Sequence, residues 1–342
     1  MHDLGGEGMA EKVLAKEREE EKQKQAELIH RMKRKNRISA IVPFLGLVFI
    51  VIFFAIVTDG RTVNSNNLIN LVNQSYTLII VCVGAAFVYG YGGMDMSVGY
   101  VQGFISVIIA IIAMNHLVPA WIVLPISIVC GMLISSINGI VSVYTRVPVF
   151  VVSLCIMNIC KGIVATAVAD TDIYMSYSEY SGWNNNVLKG IVLIFIIAAG
   201  YYTFEYTQIG KKLKIMGGNI TAAKLSGINV TKYTILAYVI IGATVGIVAF
   251  FTLTRTGVVT ASTGSGLMLD VMTAIVLGGF PLFGGAKAKI RSAVIGAVTV
   301  SVLSNGLTIW GLNPNYVNGV KGILFLIIVC ISYERKKGEI FN

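Results

Sequence analysis

Three charged residues, Asp95, Lys161 and Asp270, stand inside or beside long apolar runs of this 342-residue chain. A charge near the centre of a bilayer costs about 2.5 to 3.5 kcal/mol on insertion scales, so each needs a reason to be there. Asp95 follows the double glycine of GYGGMDMSVG (Gly90 to Gly99), Lys161 lies deep in an apolar run, and Asp270 lies near the start of another. Two explanations remain open. One is pairing or backbone capping within the protein, with Lys161 either joined to an aspartate or snorkelling to an interface. The other is direct contact with a solute that crosses. A proton relay calls for several acids or a histidine along one path, and the histidines (His2, His30, His116) are scattered and offer neither a relay nor a metal constellation. That weighs against an ion-coupled secondary transporter working alone.

Catalytic spacings are missing. The sequence holds no Gly-x-Ser-x-Gly elbow, no His-Glu-x-x-His and no carboxylate cluster beside a base. Gly210-Lys211-Lys212 lacks the preceding glycine and the hydroxyl residue of a phosphate-binding loop. An enzyme is therefore not expected, nor a cofactor in this chain; any ATP that drives it would be bound by a partner subunit. Cys82, Cys130, Cys155, Cys160 and Cys330 all lie in apolar runs without paired spacing and read as small packed hydrophobes.

The elements that must position these residues follow from composition. With 55% hydrophobic and 13% charged residues and a mean hydropathy of +0.76, the chain carries more apolar surface than one soluble core can hide. Lipid is the remaining solvent. A crossing needs roughly 20 mainly apolar residues, and about ten runs qualify: 38–57, 76–90, 98–114, 121–144, 148–169, 187–204, 233–253, 267–279, 293–310 and 317–333. The second and eighth are short, so the number of spans is open by one or two. Runs such as IVLIFIIAAG are apolar on every face, unlike the alternation of barrel strands, which leaves an all-α polytopic bundle. The net charge of +10 is distributed as the positive-inside rule expects. Arg146, the group from Lys211 to Lys232, the group Lys287, Lys289 and Arg291, and Arg335 to Lys337 fall on one side, while Arg61 and Arg255 fall on the other. Both termini are expected in the cytoplasm, with the chain in the inner membrane. The first apolar run is too long for a cleavable signal, so none is expected. Residues 1–37 form a charged prelude with i, i+4 Glu/Lys pairs, ending in basic residues suited to lipid headgroups. Residues 38–333 form the membrane domain and 334–342 a tail.

The basic segment 206–232 is the longest on the inner side. Its centre, Ala222 to Leu225, reads as a short helix opened by Asn219 or Thr221 as N-cap and stopped at Gly227. Among the 36 glycines, most, including Gly242 and Gly246 at GxxxG spacing, suit close helix packing. Two double-glycine sites, GYGGMDMSVG and LGGFPLFGG (Leu277 to Gly285), instead interrupt apolar runs, as broken helices do along a solute route. If halves begin at the second and seventh runs they form an inverted repeat, each half with a double glycine followed later by an Asn-Gly inside an apolar run, at Asn138-Gly139 and Asn305-Gly306, though at different distances.

Three segments resemble the permeases of ribose, galactose and related simple-sugar ABC importers. GGMDMSVG at Gly92 to Gly99 is similar to that family's Gly-Gly-x-Asp-Leu-Ser-x-Gly signature, with Met96 for leucine. GGNITAAKLSGINV at Gly217 to Val230 resembles its cytoplasmic loop, Leu269 to Ala297 is similar to its Leu-Asp and double Gly-Gly stretch, and NGLTIWGLNPNYVNGVKG continues the match to Gly322. The resemblance runs from about Ile38 to Tyr333. Departures are Phe280, Pro281 and Phe283 between the glycine pairs and Lys161-Gly162 in place of Arg-Gly; they bear on which sugar is carried. What the resemblance implies is a type II ABC importer-like permease of about ten helices, translocating a monosaccharide. It would pair with a second copy, dock cytoplasmic ABC ATPase subunits and receive solute from an extracytoplasmic sugar-binding protein. Gly217, Gly218, Asn219, Ala222, Ala223, Leu225, Ser226 and Gly227 would form the ATPase-docking helix. Gly92, Gly93, Asp95 and Ser97 would shape the pathway, with Asn138 and Asn305 as hydroxyl partners and Lys161, Asp270, Gly278 and Gly279 along it. Few ionised groups and many Ser, Thr, Asn and Gly suit a neutral solute. A branched-chain amino acid or other small-solute permease of the same architecture is the alternative.

Overall fold

A backbone in hydrocarbon has to satisfy its own hydrogen bonds, so the apolar runs fold as helices. The computed structural model describes residues 41–115, 118–175 and 180–332; the prelude 1–37 and the tail 334–342 lie outside the described residues. In chain order the helices are α1 (Ile41–Val57), α2 (Ser65–Gly90), α3 (Val98–Met114), α4 (Ala120–Thr145), α5 (Val149–Ala167) and α6 (Asn186–Glu205). Then come α7 (Gln208–Gly218), α8 (Ile220–Leu225), α9 (Val230–Thr256), α10 (Leu267–Leu277), α11 (Ile290–Ile309) and α12 (Pro314–Ser332). Two short strands, β1 (Ile173–Tyr174) and β2 (Val258–Val259), pair antiparallel with Ile173 opposite Val259. Each of the ten apolar runs coincides with a helix. Six of them, α2, α4, α5, α6, α9 and α11, are long and apolar enough to cross a membrane, and α1, α3, α10 and α12 are apolar but shorter. The chain is a multi-pass, all-α membrane bundle.

Helices α2 and α9 form its centre. Both are buried along most of their length, and Tyr76 meets Phe251 edge to face at 5.5 Å between ring centroids. At 1.5 Å per residue each is about 40 Å long, enough to cross the hydrocarbon layer. Helix α4 lies antiparallel along α9, where Gly131 and Gly242 leave no room for a Cβ and Ser127 Oγ donates to the Gly246 carbonyl at 2.5 Å. The GxxxG spacing of Gly242 and Gly246 thus serves close packing. Helix α11 lies along α2, and α10 packs on α11 through the equally tight Gly278 and Gly296. The outward faces of α1, α4, α5, α6 and α12 carry exposed Phe, Ile, Leu and Val, as a lipid-facing rim does.

The bundle has two chemically distinct ends. One carries α7, α8, Arg146, Lys287, Lys289 and Arg291; the opposite end carries Arg61, Lys189 and Arg255. Helix α2 starts earlier than its apolar run, at Ser65, because the polar turns of SNNLINLVNQS continue the helix at that opposite end. Helix α10, at 11 residues or about 16 Å, is too short to cross.

The repeat reading needs one correction. The two double-glycine sites are not symmetry counterparts on opposite faces: they lie side by side at the basic end, where Gly285 N donates to the Gly90 carbonyl at 3.0 Å. The stretch that mirrors the break before α3 is residues 257–266 before α10. There the start of α3 meets the start of α10, Gly99 against Gly264, closely enough that neither position admits a Cβ. With α4 against α9 and α11 against α2, the contacts follow the order of an inverted pair.

Candidate functional site

The break between α2 and α3 is held by a chain of hydrogen bonds. Asp95, buried to 2% exposure, accepts from the Ser97 amide at 2.8 Å and from Ser97 Oγ at 2.6 Å. Ser97 Oγ in turn accepts from Asn138 Nδ2 of α4 at 2.9 Å, and the Met96 amide donates to Ser153 Oγ of α5 at 3.1 Å. A carboxylate folded back onto its own turn satisfies donors that a broken helix leaves open. Asp95, Ser97 and Asn138, singled out separately in the sequence, therefore form one unit that ties the break to α4 and α5. The Tyr91 hydroxyl covers Gly93, and the Tyr238 ring lies against Gly139, so two further buried tyrosines belong to the same layer.

Beside this unit three segments converge. Gly217, at the end of α7, fits against Gly90 of α2 and the Gly284-Gly285 turn, with no space for a Cβ among their backbones. Gly284 and Gly285 have φ of 69° and 96°, a left-handed conformation that glycine adopts without steric penalty. Gly92, with φ of 85°, touches the Phe283 carbonyl. The segment that resembles a docking loop thus presses on both helix breaks at once.

Helices α7 and α8 are fixed by polar anchors. Thr207 caps α7 by accepting from the Ile209 amide at 3.2 Å, and Asn219 caps α8 by accepting from the Ala222 amide at 2.9 Å. Gly227, at φ 78°, ends that turn. Lys214 Nζ pairs with Glu205 Oε2 at 2.6 Å and stands over the Phe204 ring, while the other oxygen, Oε1, accepts from the Ile290 amide at 3.3 Å. Lys212 Nζ donates to the Tyr233 hydroxyl at 2.9 Å. Along α8, Ala223 is fully buried and seats the helix on the bundle. Ile220, Ala222, Leu225 and Ser226 point outward, Leu225 at 84% exposure.

Other sequence candidates lie apart from this cluster. Asn305 exchanges two hydrogen bonds with Asn67 of α2, at 2.8 and 3.0 Å, near the end opposite the basic face, so it does not share a site with Asn138. Asp270 forms an ion pair with Lys321 of α12. Lys161 pairs with neither aspartate; it is exposed on α5, with Nζ 5.7 Å from the Tyr100 ring centroid, next to an exposed face that carries Asn158, Gly162 and Thr166. Gly278 packs on Ser292 and Gly279 faces Pro43, both as helix contacts. Lys321, Asn67, Glu205, Tyr91 and Tyr238 were missed in the sequence. Lys321 and Glu205 alone carried a signal, as charges at the ends of apolar runs. Among the described residues no group of three or more His, Cys, Asp or Glu is placed to hold a metal ion.

Residues 67–329 match the family model described as branched-chain amino acid transport system / permease component. The ribose import permease protein RbsC of Escherichia coli (strain K12) is 27% identical over 306 residues, covering 85% of this chain and 94% of that protein. The fructose import permease protein FrcC of Rhizobium meliloti is 26% identical over 315 residues, covering 87% and 86%. The xylose transport system permease protein XylH of Escherichia coli (strain K12) is 25% identical over 366 aligned positions, covering 88% and 93%. No solved structure matches the chain. With the match extending from the third residue of α2 almost to the end of α12, the chain belongs to this family of transport-system permease components.

Proposed function

We propose that this chain is the membrane permease of an ATP-driven importer that carries a monosaccharide. The observation that carries the mechanism is the junction of Gly90, Gly217 and Gly284: a capped surface helix is set directly against both interruptions of the membrane helices. Force applied to α7 and α8 from outside the bundle reaches the breaks through backbone contacts, without intervening side chains to absorb it. ATP binding to a partner would favour one arrangement of those breaks by its differential affinity, and hydrolysis would release it. The exposed residues Ile220, Ala222, Leu225 and Ser226 would meet the ATPase, while Gly217 and Ala223 hold the element to the permease; Gly218, Asn219 and Gly227 shape its turns.

The sugar assignment draws on the relatives named for ribose, fructose and xylose. Sugar is favoured over the amino acid of the family's title by those names. Gly92, Gly93, Asp95, Ser97 and Asn138 would govern the inner end of the route. The polar stripe of Asn158, Lys161 and Thr166 on exposed α5 would face water in that route beside a second copy of the chain, because lipid would penalise it. The basic end would face the cytoplasm, as would both termini, with an extracytoplasmic binding protein delivering solute to the other end.

Reconstitution tests this. The permease, its ATPase and its binding protein in proteoliposomes should accumulate labelled pentose or hexose only with ATP. Uptake driven by a proton or sodium gradient without the ATPase would contradict the mechanism, and uptake confined to amino acids would contradict the substrate.

A further inference from the structure

At the end opposite α7 and α8, a cavity of about 360 Å³ opens between α2, α6 and α9. Lys189 and Arg255 line it together with Asn73 and Asn184, and Asn70, Gln74 and Asn186 complete its wall. Among the described residues no carboxylate lines this space. Lys189 is only 6% exposed, and its ammonium donates to two neutral amide oxygens, Asn73 Oδ1 at 3.2 Å and Asn184 Oδ1. Arg255, in the last turn of α9, makes no hydrogen bond or ion pair with the described residues. Two cations sharing a small cavity repel each other, and although Arg255 is exposed, Lys189 is a buried cation without a counter-charge there, which is costly. An oxyanion bound between them would remove both penalties, with the amide N–H groups of Asn70, Gln74 and Asn186 as further donors.

The walls indicate where such an anion comes from. Ile69 and Val72 of α2 and Val187 and Ile191 of α6 lie within a few residues of the lining and are exposed, so apolar surface begins at the level of the pocket. A soluble anion has no use for that surface, whereas a phospholipid places its phosphodiester at the helix ends and its chains along the apolar faces. We infer that this cavity is a binding site for the phosphate of an anionic phospholipid headgroup, held by Lys189 and Arg255.

The test uses the full chain purified in a neutral detergent. Retention of phosphatidylglycerol is measured by native mass spectrometry against phosphatidylcholine, whose choline cation the pocket should repel. Wild type should retain phosphatidylglycerol preferentially, and Arg255→Gln should weaken that retention roughly five- to tenfold. Arg255 has no partner to lose among the described residues, so this variant should elute and unfold like wild type; Lys189→Gln, which removes a buried group, is the second variant. Equal retention by wild type and Arg255→Gln would overturn the proposal. Displacement of the lipid from wild type by millimolar inorganic phosphate would overturn the lipid as occupant and assign a free oxyanion instead; no displacement supports the headgroup.

Discussion

A glycine hydrogen is the width of the contact between Gly217 and the backbones of Gly90, Gly284 and Gly285. Gly217→Val would drive the two segments apart, and the expected result is a folded permease whose ATP-driven uptake falls at least tenfold while its ATPase partner still binds; co-purification and uptake measured on one preparation check this. The Asp270–Lys321 ion pair predicts a stability effect instead. Lys321 is 4% exposed, so Asp270→Ala strands a buried ammonium and should destabilise by about 3 to 5 kcal/mol. The double variant Asp270→Ala/Lys321→Met should recover most of that loss, and a double-mutant cycle of thermal unfolding in detergent measures the coupling. At this scale the sequence revealed identities but not partnerships. Asp95, Ser97 and Asn138 stood out by type, yet their joining depends on how α4 crosses the start of α3. Lys321 lies 51 positions from Asp270 and is its partner, whereas Lys161, the lysine that stood out in the sequence, is turned outward by the fold.

Helices α7 and α8 show what local rules can and cannot supply. Asn219 as N-cap and Gly227 as stop were both readable, because capping is a property of a few consecutive residues. Helix α7 was not, since QIGKKLKIMGG is polar enough to pass for a loop and gains its order from the anchoring of its Lys212 and Lys214 to Tyr233 and Glu205 on other helices. The first turns of α2 were missed for the same reason. Position along α8 predicts two different outcomes. Leu225→Glu alters an exposed contact and should leave the permease folded but lower sugar-coupled ATP turnover several-fold. Ala223→Glu forces a carboxylate into the seat and should lower the yield of folded protein itself. Fluorescence-detected size exclusion separates the two outcomes.

For the whole molecule, apolar run length located ten apolar helices among the described residues, six of them long enough to cross, because hydrocarbon imposes one length rule on every span. The internal symmetry was harder to see. Matching glycine pairs by their letters joined segments that lie at the same end, whereas the true counterparts, 91–97 and 257–266, share little beyond glycine and hydroxyl residues. Their meeting at Gly99 and Gly264 sets two helix starts against each other beside the central α2 and α9, an arrangement with the order of an inverted pair.

The central claim is that α7 and α8 face the cytoplasm and receive an ATPase. The most direct measurement places Leu225→Cys in a variant whose five native cysteines are replaced, and labels intact cells and inverted vesicles with a membrane-impermeant thiol reagent. The account predicts labelling in inverted vesicles alone, blocked when the ATPase subunit is assembled. Labelling from the exterior of intact cells would contradict it.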